Sequence, residues 1–320
     1  MIISKERLIK EQKATGYRQE MIEKVVWLIE ILNAIAQDSF LKDRLVLKGG
    51  TALNLFHFDL PRLSVDADLN YIGSVDRTVM EIERPQIKER IQQLFQRMGL
   101  SLSRNAEAHA GGKMTWRYPS ALGNQGNVEV DLNFMYRIPL LPIEQRGSIQ
   151  LAGQQVNNLS LLDLHELAAG KLVALIDRGA GRDFFDAYQL FKHPALNLEK
   201  LRLCFVIYAA MSTVNFLNIQ VDQVNVDQKD LQNKLIPVLN HNFSKGFSSS
   251  AAWIDHLAEN VKLGLKQLLP FSEHERSFFS GFSESYEIKA ELLTEDNELI
   301  KKIKSHPALL WACKRMNKKS

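Results

Sequence analysis

Cysteine is scarce in this chain, which has only Cys204 and Cys313 among its 320 residues. The two lie far apart and belong to no CxxC pair and to no His/Cys pattern typical of a zinc site. A chain of this length can bury a core of normal size, so neither a disulfide nor a structural metal is needed for folding. We interpret both residues as buried or half-buried thiols in a reducing cytoplasm.

Long apolar runs are also missing. No stretch approaches the ~18 consecutive apolar residues of a membrane span, and the N-terminal segment lacks the apolar centre of a signal peptide. The charges nearly cancel, because 40 Lys and Arg face 37 Asp and Glu for a net charge of +3. We therefore expect a cytoplasmic protein with no membrane partner, whereas the net charge alone does not argue for a nucleic-acid partner.

The pattern of apolar residues divides the chain into two parts. Up to about residue 195, strand-like and helix-like periods alternate, whereas residues 196–320 have helical or loop patterns. This predicts an α+β chain with a soft domain boundary near residues 193–198. The expected elements are helix 19–38, strand 44–48, a helix opening at 51, strand 64–71, helix 78–98, strands 113–118 and 127–135, and helices 160–176 and 182–191.

Two carboxylates lie on one face of the predicted strand 64–71. Asp66 and Asp68 are two positions apart, so their side chains point the same way from backbone positions roughly 6.5–7 Å apart. At that distance two negative charges repel by ~2–3 kcal/mol at an effective dielectric near 20. A solvated surface tolerates this repulsion, but the apolar residues between the aspartates indicate a strand packed on a core.

The predicted strand 127–135 repeats the pattern, with Glu129 and Asp131 on one face and apolar residues on the other. If the two strands are neighbours, three or four carboxylates converge on one face, and a divalent cation would remove their repulsion. Oxygen ligands favour Mg²⁺ or Mn²⁺. Isolated acidic pairs are common by chance, so this interpretation depends on the surrounding motifs.

A Gly-Gly turn precedes the first acidic strand. The segment Lys48-Gly49-Gly50-Thr51 joins a predicted strand to a predicted helix and exposes backbone N–H groups suited to an anion. Taken alone, the segment is better explained as a tight turn with a threonine cap. The chain has neither the GxxxxGK[ST] pattern of a Walker loop nor a dinucleotide-binding fingerprint.

Four motifs follow one another in the chain: 47–53, 62–69, 130–134 and 164–186. In the last of these, a helical lysine precedes an RDxxD sequence at 182–186. In this order they resemble AbiEii-type nucleotidyltransferases, the toxin halves of bacterial toxin–antitoxin and phage-defence pairs. The order is far more specific than any one motif. The N-terminal helix and the C-terminal third carry no matching motif.

The resemblance implies the polymerase-β-like nucleotidyltransferase fold, a small mixed β-sheet flanked by helices. Residues 1–195 would form the nucleotidyltransferase domain and residues 196–320 a mainly α-helical domain. The implied reaction transfers a nucleoside monophosphate from an NTP with Mg²⁺ or Mn²⁺ and releases pyrophosphate. The acceptor in studied relatives is the 3′ end of tRNA, whose blocking stops translation, so we expect tRNA and a cognate antitoxin protein as partners.

Roles for individual residues follow from the resemblance. Asp66, Asp68 and Asp131 are expected to hold the metal and to catalyse transfer, with Glu129 as the alternative third carboxylate. The expected phosphate contacts are Lys48, Gly49, Gly50, Thr51 and Ser64.

A second group of candidates lies on the two later helices. Lys171 and Arg178 are two helical turns apart, hence nearly on one face, and are expected to neutralise the triphosphate or the leaving pyrophosphate. Asp183 is the further catalytic candidate, and Arg182 and Asp186 are expected nucleotide contacts. A solvated helix end is the alternative for Arg178, whereas a lysine among apolar residues needs a partner.

Two other functions stay open. The acceptor could be a protein hydroxyl or a small molecule such as an aminoglycoside, because acceptor choice depends on the unmatched C-terminal region. The chain could also be a non-catalytic scaffold that binds a nucleotide or an antitoxin. The presence of Asp66, Asp68, Asp131 and Lys171 argues against this last alternative.

Overall fold

The computed structural model describes residues 2–105, 111–240 and 250–317. Within these ranges the chain forms two compact units. The sheet unit lies within Met1–Arg137, Ile143–Leu162 and Ile236–Lys245, and the helical unit lies within Ile138–Pro142, Asp163–Leu235 and Gly246–Ser320. These units differ from the expected boundary near residue 195, because the helix that starts at residue 164 packs on the helices that follow it.

The sheet of the first unit is mixed, and seven strands occur in the part of the chain that is described. They are β1 (Leu45–Lys48), β2 (Asp66–Tyr71), β3 (Ser101–Asn105), β4 (Gly111–Pro119), β5 (Gln125–Asn133), β6 (Glu144–Arg146) and β7 (Leu159–Leu161). Their order is β3-β4-β5-β2-β1-β7-β6. β2 pairs in parallel with β5, as β1 does with β7, and the other neighbours are antiparallel. The expected mixed sheet is confirmed.

Helices cover one face of this sheet. The helices of the unit are α1 (Lys5–Thr15), α2 (Gln19–Gln37), α3 (Gly49–Ala52), which runs on into a π-helical turn over Leu53–His57, and α4 (Arg77–Arg97). Trp27 of α2 packs on Tyr118 of β4 with ring centroids 5.0 Å apart. Phe95 of α4 packs on Trp116 at 5.0 Å. Because successive strand residues point to opposite faces, the residues between these core positions lie on the other face, here called the polar face.

The helical unit has an aromatic core. Its helices are α5 (Leu164–Arg178), α6 (Gly181–Phe191), α7 (Leu198–Met211), α8 (Gln228–Asp230), α9 (Ser250–Leu265), α10 (Glu273–Ser280), α11 (Asn297–Ser305) and α12 (Pro307–Asn317). Phe184, Phe185 and Phe205 are fully buried. After β7 the described residues form no further strand, which confirms the mainly helical C-terminal region. In the described ranges no helix is both long and apolar enough to cross a membrane.

Some elements were missed at the sequence level. β3 is an edge strand with exposed or half-buried residues, so it lacks the alternation of a half-buried strand. β6 and β7 have three residues each, which is too short for a period to be recognised. The expected helix start at Thr51 is wrong, because α3 begins at Gly49 and Lys48 takes the capping position without a side-chain bond.

A buried glutamate of α2 holds the loop between β4 and β5. Glu23 is 2% exposed. Its Oε1 accepts a hydrogen bond from the Ala121 N–H at 2.7 Å, and its Oε2 accepts one from the Ser120 hydroxyl at 2.5 Å. Hydrogen bonds to a carboxylate are stronger than those between neutral groups, so these two contacts attach the loop between β4 and β5 firmly to the helix.

Replacing this glutamate tests the attachment. Glu23→Ala leaves two donors of the loop without their acceptor, so we expect the free energy of unfolding to fall by about 1–3 kcal/mol. Glu20→Ala removes an exposed glutamate from the same helix and should change stability by less than about 0.5 kcal/mol. Urea denaturation measures both, and equal effects of the two substitutions would contradict the assignment.

Candidate active site

A row of four charged side chains crosses the polar face of the sheet. Lys113 of β4 lies opposite Asp131 of β5, which lies opposite Asp68 of β2. Asp68 in turn lies opposite Lys48 of β1. Residues directly opposite on neighbouring strands project from the same face. The charges therefore run positive, negative, negative, positive, with the two carboxylates in the middle.

A second acidic pair lies one step along the same strands. Asp66 of β2 is opposite Glu129 of β5, and Lys113 Nζ forms an ion pair with Glu129 Oε2 at 2.8 Å. Both side chains of this ion pair are partly exposed, so it contributes at most about 1 kcal/mol. Four carboxylates thus share the polar face, which is the convergence predicted for neighbouring acidic strands.

The two carboxylates of β5 have different surroundings. Burial and then the charge of Asp68 raise the pKa of Asp131, while Lys48 and Lys113 oppose this shift. The hydrogen bond from Lys113 lowers the pKa of Glu129. Glu129 is therefore already paired with the Lys113 ammonium group, whereas the repulsion between Asp68 and Asp131 favours the binding of a further cation.

The donor set of this face suits a hard divalent cation. Asp66, Asp68 and Asp131 supply carboxylate oxygens, the ligands that Mg²⁺ and Mn²⁺ prefer. Among the described residues, no three His, Cys, Asp or Glu side chains are arranged to hold an ion by themselves. Magnesium is commonly held by one or two carboxylates while substrate phosphates supply further ligands. Buried Asn70 follows on the same face, and its Oδ1 has no hydrogen-bond partner among the residues that the structure describes, as expected of an oxygen that meets a ligand or water.

Gly49 and Gly50 pack against the acidic strand without room for a side chain. Gly49 has a φ of 75°, in the left-handed region, and a Cβ there would overlap Asp68 Oδ2. A Cβ on Gly50 would lie 2.9 Å from both Arg62 Nη2 and Ser64 Oγ. Glycine is therefore needed for this close approach, and the turn is held directly against Asp68.

The other residues of the predicted phosphate site lie around this turn. Thr51 is fully buried, and its hydroxyl donates to the carbonyl oxygen of Asp66, so its side chain ties α3 to β2. Ser64 is 7% exposed and lies against Gly50. Lys48 ends β1, and its Nζ lies 6.0 Å from the centre of the Tyr136 ring.

Two cations near the site were given no role at the sequence level. Arg62 is 2% exposed, and its Nη1 donates to the Leu63 carbonyl oxygen at 3.0 Å. It stands inside the motif 62–69, so a signal for it existed. Lys113 belongs to no motif, and only the register of β4 on β5 brings it beside Asp131.

In the helical unit, four of the predicted residues form an ion-pair cluster, here called the Lys171 cluster. Lys171 Nζ of α5 lies 2.8 Å from Asp183 Oδ1 and 3.0 Å from Asp186 Oδ2, both on α6. Arg178 Nε donates to Asp183 Oδ2 at 2.6 Å, and its Nη2 donates to Oδ1 at 3.0 Å. Two cations and two carboxylates thus link the helices, and their charges cancel.

Three members of this cluster are buried. Asp183 is 1% exposed, Asp186 is 0% exposed and Lys171 is 9% exposed. Burial raises the pKa of Asp183, but Lys171 and Arg178 outweigh it and hold the value at about 2. The carboxylates are the partners that a lysine among apolar residues requires. Arg182 is half-buried, and its charge acts on Asp230.

A family model matches most of the chain. The model of the family described as the nucleotidyl transferase AbiEii toxin of type IV toxin–antitoxin systems matches residues 30–256. The chain belongs to this family. It is therefore a nucleotidyltransferase of the toxin type, and the resemblance inferred from the four motifs is confirmed. No curated protein matches the chain.

A solved structure shares the fold. The nucleotidyltransferase toxin MenT4 from Mycobacterium tuberculosis H37Rv aligns with a TM-score of 0.67 and 18% sequence identity, over 96% of this chain and 99% of that chain. The fold expected for an AbiEii-type enzyme is thereby confirmed. The family match includes the carboxylates of β2 and β5 and the Lys171 cluster, whereas α10, α11 and α12 lie beyond it.

The close packing of Gly49 against Asp68 predicts that two glycine-to-alanine substitutions lower the free energy of unfolding by different amounts. Gly49→Ala imposes a positive φ and an overlap with Asp68. Gly99→Ala imposes a positive φ alone, because nothing lies within 4 Å of its Cβ position. We expect Gly99→Ala to cost about 1 kcal/mol and Gly49→Ala to cost a further 1–3 kcal/mol or so. Urea denaturation measures both, and equal losses would contradict the packing.

The Lys171 cluster predicts an acid-dependent stability. The folded pKa of Asp183, about 2, lies below the ordinary 3.8, so the stabilisation is complete above about pH 4 and is lost as the pH falls toward about 2. Asp183→Asn should lower the free energy of unfolding at pH 7 by about 2–3 kcal/mol, because Lys171 then keeps only one of its two carboxylate partners, Asp186. The deficit should shrink by about 2 kcal/mol as the pH falls through this range.

Urea denaturation at a series of pH values measures this dependence. Asp177→Asn on the exposed side of α5 is the matched control, and we expect it to change stability by less than about 0.5 kcal/mol. A deficit of Asp183→Asn that stays constant from pH 5 to the acid limit of folding would show that Asp183 is not held ionised by the cluster.

Proposed function

We propose that this AbiEii-family enzyme transfers a nucleoside monophosphate from an NTP to the 3′ end of tRNA and releases pyrophosphate, with Mg²⁺ or Mn²⁺ bound on the polar face. A blocked tRNA end stops translation, which accounts for toxicity, and a cognate antitoxin counteracts it. With tRNA as the acceptor, the enzyme acts in the cytoplasm. The acceptor, the ion and the individual residue roles all go beyond family membership.

The observation that carries this proposal is the parallel pairing of β2 with β5. It sets Asp68 directly beside Asp131, with Asp66 on the same face. Asp131 is also half-buried, and burial together with Asp68 disfavours its charge. Oxygen ligands gathered in this way support nucleotidyl transfer, which brings a highly charged triphosphate and an attacking hydroxyl to one place.

The carboxylates have distinct roles in this proposal. Asp66 and Asp68 would hold the ion that accompanies the triphosphate, with Asp131 completing the site; when bound, the ion neutralises charge and acts as a Lewis acid at the α-phosphate. Asp131 orients the acceptor hydroxyl and accepts its proton as the new P–O bond forms and pyrophosphate leaves. Asp131 suits this role better than Glu129, because Lys113 already neutralises Glu129.

The turn after β1 supplies the phosphate contacts. The backbone N–H groups of Gly49 and Gly50 can approach a phosphate closely because no side chain intervenes. Lys48 adds positive charge, and Ser64 Oγ, which lies against Gly50, donates a hydrogen bond to a phosphate oxygen. Thr51 contributes through its bond to β2, which keeps the turn in place.

We propose that the Lys171 cluster of the helical unit also acts in this reaction. Lys171 and Asp183 act as a catalytic pair, and Arg178, Arg182 and Asp186 act on the nucleotide. A lysine held by two carboxylates has a defined position, which suits the neutralisation of charge on a leaving pyrophosphate. The Arg178 side chain is 62% exposed, so it can meet a ligand while it contacts Asp183.

Labelled NTPs test the proposal. The purified chain with Mg²⁺ should transfer label to deproteinised total tRNA, and Asp66→Asn should reduce the rate by at least about 100-fold because it removes a charged oxygen from the reacting site. Asp59→Asn changes an exposed aspartate of the same unit and should keep the wild-type rate. Circular dichroism of each variant establishes that it is folded.

The outcomes separate the parts of the proposal. Label on a protein or an aminoglycoside, with none on tRNA, would show that the acceptor is wrong while the enzyme class stands. An unchanged rate for Asp66→Asn would contradict the catalytic role of the carboxylates on the polar face. Growth arrest on expression, relieved by the product of a neighbouring gene, would support the toxin and antitoxin assignment.

A further inference from the structure

The polar face continues beyond the carboxylates onto β3 and β4, where its character changes from acidic to basic. Arg104 of β3 and Lys113 and Arg117 of β4 are exposed. The described residues of these two strands include no Asp or Glu. We call this surface the basic ribbon and define it by these three residues.

The strand register shows that the three cations lie on the polar face, together with the four carboxylates. Lys113 and Arg117 are four positions apart on one strand, so they point the same way about 13 Å apart. Arg104 lies opposite Thr115, the residue between them on that face. Lys113 is opposite Asp131, so the basic ribbon begins directly beside the carboxylates.

The two arginines of the basic ribbon differ from three other arginines of the sheet unit. Arg44 pairs with Glu83, Arg77 with Glu81, and Arg90 with Asp38. In contrast, Arg104 and Arg117 have no carboxylate partner among the described residues. Their neighbours across the strands are Thr115, Ser101 and Asn127. Two exposed arginines without a carboxylate partner in the described part of the chain, on one face beside Lys113, form a surface complementary to a polyanion.

We propose that the basic ribbon binds the phosphate backbone of the RNA acceptor and leads its 3′ end to the carboxylates. This inference rests on the proposed function, since it assumes an RNA acceptor. It goes further by naming the surface that the RNA occupies and by separating this surface from the nucleotide site at the turn after β1.

Electrostatics favours RNA at this position over an acidic protein. The acceptor hydroxyl must come beside Asp131, where the carboxylates repel the phosphates that carry it. Cations on the adjacent strand offset this repulsion at the place where the backbone approaches. An acidic protein segment would match the charge, but nothing requires it to meet the carboxylate row, whereas a phosphodiester chain with a reacting 3′ end must do so.

The salt dependence of RNA binding is the quantity to measure. Each phosphate contact to a single strand contributes about −0.7 to the slope of log K against log salt concentration. We expect Arg104→Gln and Arg117→Gln each to raise the KM for total tRNA several-fold and to reduce the magnitude of the slope by about 0.7. The KM for NTP should not change. Arg104→Lys and Arg117→Lys keep the charge and should restore most of the affinity.

Arg97→Gln is the matched control. Arg97 is exposed in the last turn of α4, a helix that packs on the opposite face of the sheet through Phe95. The Arg97→Gln variant loses the same charge from the same unit, so it measures the effect of the lower net charge alone. We expect it to leave both KM values and the salt slope unchanged.

The outcomes distinguish this inference from the proposed function. If the wild-type chain does not label tRNA, the proposed function fails and this inference falls with it. If the wild type labels tRNA but the two glutamine variants behave like Arg97→Gln, the inference alone is overturned. A rise in the KM for NTP would overturn it as well, because it would place the arginines at the nucleotide. A rise in the KM for tRNA alone, with the smaller salt slope, supports it.

Discussion

The parallel pairing of β2 with β5 is the constraint on which the candidate site depends. It sets Asp68 and Asp131 side by side, an arrangement that costs free energy as long as no cation lies between them. Lys48 of β1 lies on one side of this pair, and Lys113 of β4 lies on the other. Gly49 packs directly against Asp68, where only a residue without a side chain fits. The sheet thus holds the acidic pair in place and leaves part of its charge for a ligand to neutralise.

The helical unit arranges charge in the opposite way. Around Lys171 the two cations and two carboxylates neutralise one another, and Lys171 and both carboxylates are buried. A cluster that is complete in itself keeps its geometry without a ligand, and it depresses the pKa of Asp183. The polar face of the sheet, by contrast, has an excess of negative charge in its middle and of positive charge on β3 and β4. This separation of charge is suited to binding a triphosphate and a polyanionic acceptor.

Much of this arrangement was predictable from local patterns. The alternation in 64–71 and 127–135 predicted two strands with acidic faces, and the order of the four motifs predicted the family and its fold. The edge strand β3 was missed because its side chains are mostly solvated and show no alternation. The hydroxyl of Thr51 is bonded to the backbone of β2, and only the packing of α3 on that strand reveals such a bond.

The sequence by itself determined which side chains share a face of each strand, because side-chain direction along a strand depends on neighbours in the chain. It also determined that a lysine, an arginine and two aspartates lie on consecutive helices. Only the tertiary structure decided that Lys113 stands beside Asp131, and that Arg104 and Arg117 extend the same face. The physical reason is strand register, which is set by hydrogen bonds between segments distant in sequence and by the packing of one face on a core.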